Sequence, residues 1–300
     1  MDALKVYHPQ AGRGVVRESS STPWIDRLQR WVESEPNIRL ALLVGSQART
    51  EMPADSFSDI DLALFARDPD RLLLDVDWIA GLGHYWTSHL EQNALESGPE
   101  RRVLFRDGQD VDFAVFPEEF VGALTSDPRA VAVLRRGFRP LVNKESVELI
   151  VPRYEPSTVP PSLSEFSNLA NDYWFHLIWT AKKLRRGELL TSLEATNGYL
   201  RALLVRTVRW HALARGPSGR DVWHGTRFFE KWADPRVIRD FPETVARYDV
   251  RSVAQALRAS RTLFGWLTDE LSDSLSFPSP IRDRSGLSTY LDSLLDDRGQ

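Results

Sequence analysis

"LALLVGSQARTEMPADSFSDIDLALF", residues 40–65, passes from one apolar run through a small polar turn into a second apolar run that carries Asp59 and Asp61. Alternate residues of a strand share a face, so Ile60, Leu62 and Leu64 form the inward face and Asp59 and Asp61 line up with Ala63 and Phe65 on the other. Aspartate is disfavoured in strand interiors, and like charges on one face repel. Carboxylates that converge this way must be protonated, paired with a base or neutralised by cations.

A D-x-D pair by itself describes a solvated strand end as readily as a site, and two further features reverse that reading. The first is a third acid, Asp112, in "RRVLFRDGQDVDFAVF" (101–116). Asp107-Gly108 predicts a two-residue hairpin turn, which puts Asp112 in mid-strand, in a sheet that can adjoin the first pair. The second is Gly45-Ser46 at the end of the first strand. Glycine lets the backbone approach a phosphate closely, and Ser46 offers a backbone N–H and a hydroxyl at the start of a helical turn, where anions are favoured. Hard oxygen ligands suit Mg²⁺, which binds through one or two carboxylates together with substrate phosphates. Together these features form a holder for a metal-bound nucleoside triphosphate.

Composition limits the alternatives. The 300 residues are 42% hydrophobic and 10% aromatic, enough for well-buried cores in one large or two medium domains. A net charge of -4 gives no overall pull toward nucleic acid or an anionic membrane, so neither is expected as a partner. There is no cysteine, which removes disulfides, thiolate metal sites and cysteine nucleophiles. The start, "MDALKVYHPQAGRGVVRE", lacks the apolar core of a signal peptide, and no stretch approaches a membrane span, which predicts a cytoplasmic protein. The six histidines show no zinc spacing, and "AGRGVV" (11–16) is too short for a phosphate loop.

The texture of the chain changes near residue 155. Before it, β-rich runs alternate with helical stretches such as "DRLLLDVDWIAGL" (70–82) and "PRAVAVLRRGF" (128–138), the pattern of a mixed α/β unit. The divide, "VPRYEPSTVPPSLSEF" (151–166), holds Pro152, Pro156, Pro160 and Pro161, which continue neither helix nor central strand. Beyond it nearly everything reads as helix. "SLSEFSNLANDYWFHLIWTAKKLRRGE" (162–188) has Ser162 or Ser164 as its cap and Gly187 past its basic last turn. A second helix is expected over 188–215, with further ones at "ETVARYD" (243–249), 250–271 and 286–295. The expected fold is α+β: an N-terminal mixed-sheet domain with flanking helices over 1–154, then a helical bundle over 155–300.

The run of strand, Gly-Ser, turn and Asp-x-Asp, with a third Asp on a later strand, resembles the nucleotidyltransferase superfamily of DNA polymerase β type. More closely, residues 45–65, including Pro53, Asp55 and Phe57, are similar to the signature of the aminoglycoside 6-adenylyltransferase (streptomycin adenylyltransferase) family. "DGQDVDFAVFP" (107–117), "NDYWFHLIWTAKKLRRGE" (171–188) and "GTRFFEKW" (225–232) extend the likeness over most of residues 22–298. The resemblance implies transfer of AMP from ATP to a hydroxyl of an aminoglycoside, with release of pyrophosphate, an activity that confers antibiotic resistance. It also implies roles for single residues. Asp59 and Asp61 would hold Mg²⁺; Asp112 would complete the metal site or take the proton from the attacking hydroxyl. Gly45 and Ser46 would contact phosphate, and Lys182 would reach the triphosphate. Two departures stand out. Gln47 occupies the place of the family's arginine, with Arg49 as the nearby substitute, and Arg227 and His224 replace basic residues of the later segment.

A polycationic acceptor favours carboxylates and flat aromatic faces. Asp172 and Trp174 are the expected acceptor contacts, with Glu165 earlier on the same helix, whereas Tyr173, Phe175 and Trp179 read as an aromatic core stripe. A monomer is expected. Two other functions fit the same residues: a nucleotidyltransferase acting on a tRNA or protein, which needs a basic groove, and a catalytically silent nucleotide or antibiotic binder.

Overall fold

The computed structural model describes residues 22–93, 98–151, 159–217, 220–223 and 225–296. Pro152, Pro156, His224 and the "AGRGVV" run lie outside them. The strands are β1 (Ile38–Val44), β2 (Ile60–Ala66), β3 (Tyr85–Gln92), β4 (Pro99–Phe105), β5 (Asp110–Pro117) and β6 (Arg139–Asn143). They form one mixed sheet in the order β3-β4-β5-β2-β1-β6. β2 and β5 run parallel and every other neighbouring pair is antiparallel. β1 is almost wholly apolar because it lies inside the sheet with both faces covered.

The helices of this part are α1 (Thr22–Ser34), α2 (Asp70–Leu73), α3 (Asp77–Leu82) and α4 (Pro128–Leu134). On one face, Leu28 and Val32 of α1 and Ile79 and Leu82 of α3 pack on Ile60, Leu62, Leu64, Val111 and Phe113. On the other, Ala130 and Leu134 of α4 pack with Leu40, Leu42, Phe65 and Phe116, and the last two rings stack at 5.3 Å. The faces of β2 are therefore the expected ones, apolar residues into the first core and Asp61 with Phe65 on the opposite side.

Several expectations need correction. The helix over 70–82 is two short helices, because the Asp75 carboxylate accepts the Asp77 N–H (2.9 Å) and starts a new turn instead of continuing the old one. The hairpin at Asp107-Gly108 forms, but its loop has three residues. Gly108 N–H donates to the Phe105 carbonyl (3.0 Å), Phe105 N–H donates to Gln109 (2.8 Å), and Gly108 takes φ +91°, open to glycine without strain. Trp24 Nε1 donates to Asp107 Oδ2 (2.8 Å) and ties this loop to α1.

The second part is helical: α5 (Leu163–Arg185), α6 (Leu189–Glu194), α7 (Arg201–Arg215), α8 (Phe229–Trp232), α9 (Pro235–Asp240), α10 (Val250–Leu275) and α11 (Arg284–Leu295). Ser162 is the cap of α5 and forms a reciprocal capping box with Glu165, and Gly187 at φ +78° follows its last turn. The helix expected over 188–215 is interrupted by a π-helical segment, Ala195–Leu200, between α6 and α7. No helix forms over 243–249 beyond a 3₁₀ turn at Phe241–Thr244, because the Asn197 side chain takes both backbone groups of Ala246, donating to its carbonyl (2.7 Å) and accepting from its N–H (2.9 Å). Contacts divide the chain into Met1–Tyr154 and Glu155–Gln300. Among the described residues no helix is long and apolar enough to cross a membrane.

Candidate active site

β1 ends at Val44, and the chain turns at once through Gly45–Gln47, a single 3₁₀ turn. Gly45 has φ +64°, and a Cβ there would overlap the Asp61 carboxylate, so only glycine lets this carboxylate lie against the turn. The Gly45 carbonyl accepts from Ala48 and Arg49 N–H, both at 3.2 Å. Behind them, a Cβ on Gly137 would stand 2.5 Å from the Ala48 carbonyl oxygen; the turn thus rests on bare backbone after α4. Gln47 Nε2 donates to the Asp59 carbonyl (3.2 Å), and Gln109 Nε2 donates to that of Ser58 (3.2 Å). Two amide side chains thereby fix the segment that leads through Asp59 into β2.

The parallel register sets Asp61 directly opposite Asp112. With Asp59 two residues earlier, carboxylate oxygens from all three acids lie within 4.8 Å of one another. Asp112 is 7% exposed, whereas Asp59 and Asp61 are half-buried. Burial pushes the Asp112 carboxyl up to about 7; Arg102 pulls the other way, and Asp61, Glu100 and Asp59 add to the rise. Beside the triad the Ser46 hydroxyl is buried without a hydrogen-bond partner. A buried donor left without an acceptor is costly, and such a hydroxyl suits an anionic oxygen. Three carboxylates at this spacing fit a hard divalent cation, and the glycine-backed turn with its orphan hydroxyl fits the phosphates that such a cation carries.

Arg102, which sequence reading passed over, completes the site. On β4 it pairs with Asp112 in register, and its Nη2 lies 3.1 Å from Asp112 Oδ2. Its Nε lies 2.9 Å from Glu100 and 3.1 Å from Glu91.

Each of the remaining expected site residues has its own surroundings within its unit. Arg49 donates through Nε to the Met52 carbonyl (2.7 Å) and braces its own loop. Lys182 is exposed on α5, with Nζ 5.5 Å from the Tyr290 ring centre, and Arg227 is exposed before α8. Asp172 is half-buried on α5, where both its oxygens accept from the Tyr199 hydroxyl (3.0 and 2.9 Å) and His176 Nδ1 lies 2.6 Å away. Trp174 is not on a ligand face. It is 2% exposed and packs in the helical core with Ala170, Leu177 and Ile178, because the stripe that runs through Ala181 and Leu184 rotates it inward. Tyr173 lies in that core as expected, whereas Phe175 is 66% exposed and Trp179 half-buried. Glu165 is engaged as the capping partner of Ser162.

The model of the family described as streptomycin adenylyltransferase matches residues 19–294. The chain is 21% identical over 271 residues to an aminoglycoside 6-adenylyltransferase of Bacillus subtilis, covering 87% of this chain and 93% of the relative. A protein of the same name from Campylobacter jejuni is 21% identical over 276 residues, covering 89% and 92%. Among solved structures, an aminoglycoside 6-adenyltransferase from Bacillus subtilis aligns with a TM-score of 0.44 at 17% identity, covering 90% of this chain and 96% of that one. With a match that runs from the start of α1 nearly to the end of α11, the chain belongs to the streptomycin adenylyltransferase family of enzymes.

Proposed function

We propose that the protein transfers AMP from ATP to a hydroxyl group of a streptomycin-like aminoglycoside and releases pyrophosphate, with Mg²⁺ as its cofactor. The observation that carries this reading is the convergence of Asp59, Asp61 and Asp112 beside a glycine turn whose Ser46 hydroxyl lacks a partner. In such chemistry a bound divalent cation neutralises charge on the triphosphate and on the displaced pyrophosphate. Asp59 and Asp61 would hold it, with Asp112 as the third ligand or as the acceptor of the proton from the attacking hydroxyl. In the cation-free site burial pushes this carboxyl up to about 7, and a bound cation would favour its ionised, proton-accepting form. Gly45 and Ser46 would present backbone and hydroxyl donors to the phosphates and so orient the α-phosphorus for displacement.

Arg49, Lys182 and Arg227 are assigned to ATP by the family resemblance; Arg49 would exchange its bond to Met52 for a phosphate oxygen. Asp172 is the proposed anchor for a cationic group of the acceptor. Its oxygens are already hydrogen-bonded by Tyr199, so a ligand would meet a carboxylate of fixed direction. The test is pyrophosphate release from ATP and Mg²⁺ across a panel of aminoglycosides. Release that depends on the antibiotic, with a D172N variant raising the KM for the antibiotic but not for ATP, supports the assignment. Release independent of any aminoglycoside refutes the acceptor class.

A further inference from the structure

The chain places a fixed positive charge where its cation would bind. Arg102 Nη2 sits 3.1 Å from Asp112 Oδ2, while Nε of the same guanidinium lies 2.9 Å from Glu100 and 3.1 Å from Glu91. Glu100 is itself buried, at 7% exposure, so its hold on Arg102 is set into the sheet. The geometry is a consequence of register: Arg102 stands opposite Asp112 on β5 and opposite His89 on β3, and Glu100 stands opposite Glu91. Different nitrogens of one guanidinium therefore have partners inside the triad and outside it.

A divalent ion bound by Asp61 and Asp112 would come within a few ångströms of this guanidinium, and the two cations would compete for Asp112. We propose that Arg102 is a positioning residue and the resident counterion of the carboxylate triad. In the absence of a cation it holds and aims Asp112. When the cation binds, it gives up that contact and stays anchored by Glu91 and Glu100. The arrangement makes the cation alone a poor ligand, because it must displace a charge already in place. It makes the cation with a triphosphate a good one, because the phosphates supply the negative charge that lets two cations sit close together. The inference rests on the active-site reading given above and adds the order in which that site fills.

The test is Mn²⁺ binding to the full chain, followed by electron paramagnetic resonance without nucleotide, so that it reads the metal and not turnover. R102Q should bind Mn²⁺ about tenfold more tightly than the parent, the effect of removing one positive charge about 5 Å from a divalent ion under water-like screening. The gain should shrink when a non-hydrolysable ATP analogue is present, and R102K should stay close to the parent. Since R102Q leaves Glu100 buried without its partner, and Glu100 also acts on Asp112, the change is repeated in the E100Q background, where E100Q/R102Q should bind Mn²⁺ more tightly than E100Q alone. Equal or weaker Mn²⁺ binding in both comparisons, or no binding by any of the proteins, overturns the role of Arg102. D61N separates this from the site itself: Mn²⁺ binding in the presence of the analogue that survives D61N overturns the triad as the metal site, whatever Arg102 does.

Discussion

At the scale of single residues, the site is a set of local costs that a ligand would offset. Ser46 is the clearest case. Its hydroxyl is buried and unpartnered, so S46A should leave the stability to urea unchanged or slightly higher while raising the KM for ATP several-fold; a marked loss of stability with unchanged KM would contradict the assignment. Asp112 is the second case. It keeps its proton in the native state up to about pH 7 but loses it near pH 4 in the unfolded chain. Between these values the native state binds more protons, so its contribution makes the protein less stable as pH rises. Urea unfolding across that range in EDTA should show a downward slope that is reduced in D112N, and divalent cation should flatten it at the upper end by binding the ionised form. An identical slope in D112N would contradict this. Asp59, Asp61 and Asp112 were legible in the sequence because a strand alternates with a period of two residues. Trp174 was misplaced because "YWFHLIW" is apolar all round, and only the flanking Ala170, Ala181 and Leu184 fix which of its rings point inward.

At the scale of elements, the length of one hairpin loop explains why Arg102 escaped notice. A two-residue turn on Asp107-Gly108 would pair Val103 with Asp112 and send Arg102 to the other face of the sheet. The three-residue loop shifts the register by one and sets Arg102 beside Asp112. The turn chemistry announced a hairpin, and its length depended on Gly108 taking the left-handed position at the end of the loop instead of the centre of a tight turn. β3 and β6 were not foreseen either. They are the two edge strands of the sheet, and the burial on β3 is too sparse to leave an alternating pattern. The start of α5, in contrast, was marked by Ser162 or Ser164 in the sequence, and the capping box with Glu165 selects Ser162. S162A should therefore destabilise the protein by about 1 kcal/mol in urea unfolding without changing the KM for ATP, and a change well below that would mean the cap is dispensable.

At the scale of the whole molecule, one unit is a mixed sheet whose parallel strands β2 and β5 carry Asp61 and Asp112, and the other is helical and carries Asp172, Lys182 and Arg227. The division near residue 155 was legible from the proline-rich divide and the change from alternating to helical periodicity. The interruptions inside the helical unit were not legible: the π-helical turn at Ala195–Leu200 and the arrest at Ala246 both involve long-range packing and an Asn197 side chain bonded 49 residues away. The central claim is that the triad carries AMP transfer. The measurement that tests it most directly is the mass of streptomycin after incubation with ATP and Mg²⁺, with the parent protein and with D61N. The account predicts a gain of one AMP with the parent and none with D61N, whose fold should be intact or slightly stabilised as repulsion within the triad is relieved. An AMP adduct formed equally well by D61N, or by neither protein while other acceptors are modified, would contradict it.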